Sequence, residues 1–309
     1  MIQTVDELRK AIREHKLELF EEQIVKIAKP AVYMDLAPIS DVARLPIGAS
    51  KIGGNPDLPT DFEWQMYNGR PLTFIGQFVL SELAKHLQPE HNPLPEQGRL
   101  YFFYEADEVP WGEPEQQNGW QLVYLPDEKA DLEHREHPVA EGVYNKIQAL
   151  PEHSIAFRSG FSLPSTSEDR FKEKTGIDFY NVTDDSGDAL EDAYWALRSA
   201  VSALRKKDAN WNAGHYFLGY PDPIQGDVSW EVAMHSEEFR AYYIPTHDHD
   251  ARRDAIRRQS KNWQFLFQID SDDRLNAMWG DAGILYILIP KKSLADLKFE
   301  QSWTIMQCS

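Results

Sequence analysis

The chain has 309 residues, 42% of them hydrophobic and 12% aromatic, and a formal net charge of −18. That length and aromatic content exclude a disordered chain and allow a core that needs no disulfide or metal staple. The acidic surplus excludes a binder of phosphate backbones, and the longest apolar runs, such as Ile284 to Ile289, are too short to cross a bilayer.

In chain order, Thr4 and Glu7 have the spacing of a capping box, and the Gly- and Pro-free run from Val5 to about Lys26 predicts a packing helix that Pro30 ends. From about Ala31 to Tyr124, short apolar runs alternate with Pro and Gly. Leu72 to Leu80 and Leu100 to Tyr104 read as strands, and Ser81 as the cap of a short helix to Lys85. Asp107 to Gly119 and Pro126 to His137 read as polar loops. A helix opens at Asp188, with Leu190, Tyr194, Leu197, Val201 and Leu204 at alternating four- and three-residue spacing. Beyond it, His235 to Tyr243 and Asp250 to Arg258 read as helices, and Trp263 to Ile269 and Ile284 to Ile289 as strands. The only cysteine is Cys308 and the first residues lack a basic, apolar leader, so a cytoplasmic location is expected.

Short patterns recur in the same order at the two ends of the chain. Gly54-Asn55-Pro56-Asp57, Phe74-Ile75-Gly76-Gln77-Phe78 and Gly98-Arg99-Leu100-Tyr101 come first. Gly219-Tyr220-Pro221-Asp222, Phe265-Leu266-Phe267-Gln268-Ile269 and Gly283-Ile284-Leu285-Tyr286 follow. This order predicts an α+β fold with a duplicated β-rich motif, packing helices at the N-terminus and a helical connection at about 188–207. Half one spans about 31–125 and half two about 211–300, within a single globular domain over 1–309. Gln77 and Gln268, each inside an apolar strand, need hydrogen-bond partners if they face inward. They read as structural hubs at the junction of the halves, or as residues facing a shared cleft.

These residues, with Lys51-Ile52-Gly53-Gly54-Asn55-Pro56-Asp57-Leu58-Pro59, Phe267 to Asp272 and Met278 to Gly283, resemble the bacterial YwqG-like family, a domain of unknown function. The resemblance covers about residues 50 to 300. It implies an α+β fold with a duplicated β-rich motif, and a neighbourhood of toxin–immunity gene clusters that points to a protein partner.

Catalytic signals are sparse. In Lys51 to Pro56 the lysine precedes the glycines and two prolines follow, which is a rigid turn rather than a phosphate loop. Counting from Asp270, an EF-hand frame puts Leu275 where Gly is required, so that frame fails. His247, His249, Asp270 and Asp272 form the candidate set for a divalent metal, with Asp281 a further carboxylate. Arg252, Arg253, Arg257, Arg258 and Lys261 form a local cationic cluster, read as a solvated helical face or as an anion-recognising patch. Trp111 and Trp279, in the loops Pro110-Trp111-Gly112 and Trp279-Gly280-Asp281, are candidate anchors for a partner. The leading expectation is a protein-binding or regulatory module with neither nucleic-acid nor membrane partners. The alternative is a metal-assisted hydrolase.

Overall fold

The computed structural model describes residues 2–39, 44–138, 147, 149–168, 171–179, 187–202, 214–235 and 249–309, with backbone alone at 187, 188 and 249. Fourteen strands are described: β1 (Lys29–Pro38), β2 (Lys51–Ile52), β3 (Asp57–Leu58), β4 (Met66–Tyr67), β5 (Arg70–Pro71), β6 (Thr73–Val79), β7 (Arg99–Tyr104), β8 (Trp120–Leu125), β9 (Glu133–His134), β10 (His153–Ser162), β11 (Tyr216–Phe217), β12 (Trp263–Asp270), β13 (Ile284–Pro290) and β14 (Trp303–Gln307). Ten of them form one antiparallel sheet in the order β14-β13-β12-β11-β1-β10-β2-β6-β7-β8. The central pair, β1 and β10, runs in unbroken register from Lys29 opposite Ser162 to Pro38 opposite His153.

The sheet curls until its two ends almost meet. Phe78 of β6 touches Phe217 of β11 and Phe267 of β12, with ring centroids 5.0 and 5.4 Å apart, although β1, β10 and β2 lie between these strands in the sheet order. At the rim, the Trp120 indole of β8 donates to the Ser302 carbonyl at 3.3 Å and packs on Trp303 of β14. Two β-bulges help a sheet bend in this way. One lies between Phe74 and Gly76 of β6, the other between Phe265 and Phe267 of β12. Each bulged residue spends its carbonyl on a neighbouring turn: Ile75 accepts from the Gly53 N–H and Leu266 from the Leu218 N–H, both at 2.8 Å.

The N-terminal helices pack with the helix Gly187–Ser202 in a second core of their own. The helix Val5–Glu14 has the expected capping box, with Thr4 Oγ1 accepting from the Glu7 N–H and Glu7 Oε2 from the Thr4 N–H. It does not continue to Lys26. It stops at His15, Lys16 turns left-handed (φ 59°), and a short 3₁₀ turn at Glu18–Phe20 leads into a second helix, Glu21–Ile27. A straight helix would place Leu17, five residues after Ile12, on another face. The break instead buries Leu17 and Phe20 beside Leu8 and Ile12, against Tyr194, Leu197 and Val201 of the helix Gly187–Ser202.

Other expectations shift at their edges. The helix after β6 is Leu80–Ala84, and Ser81 does not cap it, because its hydroxyl and N–H both donate to Glu128. A helix is described at Val228–His235, ahead of the one expected from His235, and 236–243 lie outside the described residues. The helix His249–Ser260 agrees with the cationic run read from the sequence.

Candidate functional site

Two buried polar centres organise the sheet. In the first, Gln77 is fully buried. Its Oε1 accepts from the Asp57 N–H at 2.9 Å, and its Nε2 donates to the Ala49 carbonyl at 2.7 Å and to Asp57 Oδ2 at 2.9 Å. The Tyr101 hydroxyl donates to the Asp57 carbonyl, and Lys51 Nζ lies 3.4 Å from Asp57 Oδ2 and 2.9 Å from Glu152 Oε1. Burial works to raise the Asp57 pKa, but the Gly48 N–H, Lys51, Gln77 and His134 outweigh it and hold it below the usual range.

In the second centre, Gln268 Oε1 accepts from the Asp222 N–H at 3.0 Å, its Nε2 donates to the Gly214 carbonyl at 2.9 Å, and the Tyr286 hydroxyl donates to the Asp222 carbonyl. Each glutamine therefore ties the N–H of the aspartate that ends a Gly-x-Pro-Asp turn to the carbonyl eight residues before that aspartate. Neither glutamine lines the cleft described below.

Of the expected metal set, Asp270 and Asp272 are the members whose side chains are described. Asp270 Oδ2 accepts from the Gly214 N–H at 2.8 Å. His215 Nδ1 accepts from the Asp270 N–H, so the ring proton sits on Nε2 and is donated to Asp272 Oδ2 at 3.1 Å. Asp272 also receives Arg274. Burial would raise its pKa, but His215 and Arg274 together drive it far below the usual carboxylate range. These groups are already committed to holding the turn after β12, and no group of three or more metal-binding side chains forms among the described residues. His247 and the side chain of His249 lie outside the described residues.

The expected contact residues differ in exposure. Trp111 is 43% exposed, whereas Trp279 is 1% exposed and packs edge-on against Tyr104. Trp279 sits inside because its loop folds under β14, where Gly283 passes so close that a Cβ would lie 2.5 Å from the Gln307 carbonyl. Asp281 is exposed, and its carbonyl accepts from the Ser309 N–H.

The developed cavity lies elsewhere, where β1 begins, β11 ends and β12 begins. It holds about 500 Å³ and has Tyr220, Trp263 and Phe265 in its walls. A second recess of about 340 Å³ shares Lys29, Gly219 and Gln264 with it. The Gly219 turn sets one wall. Gly219 has φ +75°, and a Cβ there would fall 2.1 Å from the Ser162 hydroxyl, which accepts from the Tyr220 N–H at 2.8 Å. Only glycine combines that backbone with so close an approach.

Among the described residues, five cations line the cavity (Lys29, Lys174, Arg257, Lys261 and Lys291) against three acids (Glu168, Glu173 and Asp227), a surplus of two in a chain of net charge −18. Lys291 Nζ donates to the Lys261 carbonyl at 2.8 Å, which holds its ammonium beside the end of the helix His249–Ser260. Arg257 is shared with Asp254 at 2.5 Å and lies over the Trp230 ring. Lys29 counts as an exposed residue, yet its ammonium lies 3.9 Å from the Tyr220 ring centroid. Loss of hydration there pushes its pKa down, with Lys291 and Lys174 adding to the effect and Glu168 opposing it. Glu168 shifts the other way: burial pushes its pKa up, and its Oε1 is buried with no hydrogen-bond partner among the described residues.

Sequence reading found Arg257 and Lys261 through their cluster. It missed Lys29, Lys174, Lys291 and Glu168, which stand alone in the sequence and meet only through the fold.

A curled antiparallel sheet packed with helices and a mixed-charge cleft at its strand ends makes this an α+β protein with a ligand-sized cavity. The family model described as a domain of unknown function (DUF1963) matches residues 50–308, and the chain belongs to that family. A comparison with curated proteins found no match. No helix among the described residues is long and apolar enough to cross a membrane.

Proposed function

We propose that the protein is a binding module that holds a small anionic ligand in the cleft bounded by Lys29, Lys261 and Lys291. The observation that carries this reading is the local reversal of charge sign. An acidic protein repels anions over most of its surface, so a cavity with surplus ammonium groups and aromatic walls stands out as the place an anion would be held. The hydrolase alternative has less support, because Asp270 and Asp272 are spent on structural hydrogen bonds.

A second reading keeps a partner protein. Trp111 and Met278, 43% and 55% exposed, project from loops packed on β14, as the Met306 N–H to Trp111 carbonyl bond and the contact of Gly280 with Cys308 imply. Such a surface would let a regulator read the ligand-bound state. The matched Gln77 and Gln268 centres and the two bulges support treating the strands around β6 and around β12 as related halves.

Thermal unfolding of the full chain against inorganic phosphate, pyrophosphate and citrate tests the binding reading. A ligand at a hundred times its Kd stabilises the native state by about 2.7 kcal/mol, which moves the midpoint by a few degrees. At least one of these anions is expected to raise the midpoint in the wild type and not in a Lys261→Ala/Lys291→Ala variant. Equal shifts in the two proteins would place the binding elsewhere.

A further inference from the structure

The charges around the cleft are not mixed evenly. Glu168, Glu173 and Lys174 come from the segment that follows β10, and Asp227 from the N-terminus of the helix Val228–His235. Lys174 Nζ lies 3.6 Å from Glu168 Oε2 and 3.7 Å from Asp227 Oδ2, so the one cation on this side is held between two acids. Asp227 also spends Oδ1 on the N–H groups of Ser229 and Trp230. Among the described residues, this side carries three carboxylates against one ammonium.

The other side is built from Arg257, Lys261 and Lys291, around the end of the helix His249–Ser260 and the end of β13. Lys29 stands between the two. It feels Glu168 and Lys174 from one side and Lys291 from the other, while Glu168 feels Lys174, Asp227, Lys29 and Arg198.

Glu168 makes this polarity chemically specific. Its side chain is 12% exposed, and among the described residues Oε1 is buried with no hydrogen-bond partner and Oε2 has only the long Lys174 contact. A carboxylate so placed lacks the donors that hold one ionised in water. A simple anion bound at Lys261 and Lys291 would leave that deficit untouched. A ligand with an ammonium at its far end would remove it, because N⁺–H donors to a carboxylate form strong, charge-assisted bonds.

Resting on the anion-binding reading above, we infer that the ligand is a small zwitterion. Its phosphate or carboxylate faces Lys261, Lys291 and Arg257, and its amine faces Glu168. Tyr220, Trp263 and Phe265 supply the apolar walls for the carbon chain that joins the two ends.

Calorimetric titration of the full chain with O-phosphoethanolamine, inorganic phosphate and ethanolamine tests this. O-phosphoethanolamine is expected to bind more tightly than inorganic phosphate by about tenfold, the order of one charge-assisted hydrogen bond. Glu168→Gln, which keeps the shape and removes the charge, should erase that advantage while leaving inorganic phosphate unchanged. Lys291→Met should weaken both phosphates alike. Equal affinity of the wild type for the two phosphates, or an equal loss of both in Glu168→Gln, would overturn the zwitterion and leave the anion site standing. Binding of ethanolamine alone, or of none of the three, would overturn both. A thermal midpoint for Glu168→Gln near that of the wild type separates a lost contact from a lost fold.

Discussion

A buried amide carries both donors and an acceptor that need partners, and Gln77 and Gln268 each pair one backbone N–H and one backbone carbonyl that would otherwise be stranded, Gln77 adding a bond to Asp57 Oδ2. Replacing either by Leu keeps the volume but leaves an aspartate N–H and a carbonyl without partners. Each orphaned group costs about 1–3 kcal/mol. Gln77→Leu and Gln268→Leu are therefore each expected to lower stability by about 2–4 kcal/mol, read as a lower urea midpoint at unchanged m-value. A change below about half a kcal/mol would mean that water reaches these groups.

Asp272 gives the same scale a pH dependence. Its folded-state pKa is depressed, chiefly by His215 and Arg274 working against burial, so the unfolded chain takes up the proton first as pH falls. The stabilisation is fully present above the unfolded value of about 4 and is lost as pH falls through the folded value. Unfolding free energy is expected to fall less steeply below about pH 4 in Asp272→Asn than in the wild type. Equal slopes would show that other carboxylates carry the acid transition.

At the scale of elements, the long apolar strands β6, β7, β12 and β13 were legible because both faces are buried, and a continuous run of Phe, Tyr, Leu and Ile has few other uses. β10 was not. Its His153-Ser154 to Ser162 text is polar and only partly buried, and what makes it a strand is ten residues of pairing with β1 across more than a hundred residues of chain. β14 hid for a related reason. Gln307 reads as a surface residue, yet it accepts from the Ile224 and Gln225 N–H groups and donates to Glu231. The N-terminal helix was overextended because nothing local marks Lys16 as a break; tertiary burial of Leu17 decides it.

The Gly219 turn is the element on which the cleft depends. Gly219→Ala adds a left-handed strain of about 1–3 kcal/mol and a clash with Ser162. It is expected to destabilise the protein and to change the fluorescence of cleft residues such as Trp263, because Tyr220 must move. Gly69→Ala, with a similar φ of +78° and open space around it, controls for the backbone term alone.

At the scale of the whole molecule, fold class was readable in the sequence and the cleft was not. Composition and strand text suffice for an α+β protein. The cleft draws Lys29, Glu168, Lys174, Lys261 and Lys291 from four places in the chain, and only closure of the sheet and placement of the helices bring them together. Net charge pointed away from anions because it averages over a surface on which the cleft is a small exception. The central −18 also predicts the salt response: ions screen the long-range repulsion of an incoming anion and its short-range attraction alike, but contacts inside the cavity are screened less.

The most direct measurement is a calorimetric titration of O-phosphoethanolamine into the wild type and into a Lys261→Glu/Lys291→Glu variant of matched thermal stability. Saturable one-to-one binding is expected in the wild type. It should weaken by at least about tenfold in the variant, the order of one lost charge-assisted contact. Binding indifferent to the reversal of both charges, or absent from the wild type, would contradict an anion site in this cleft.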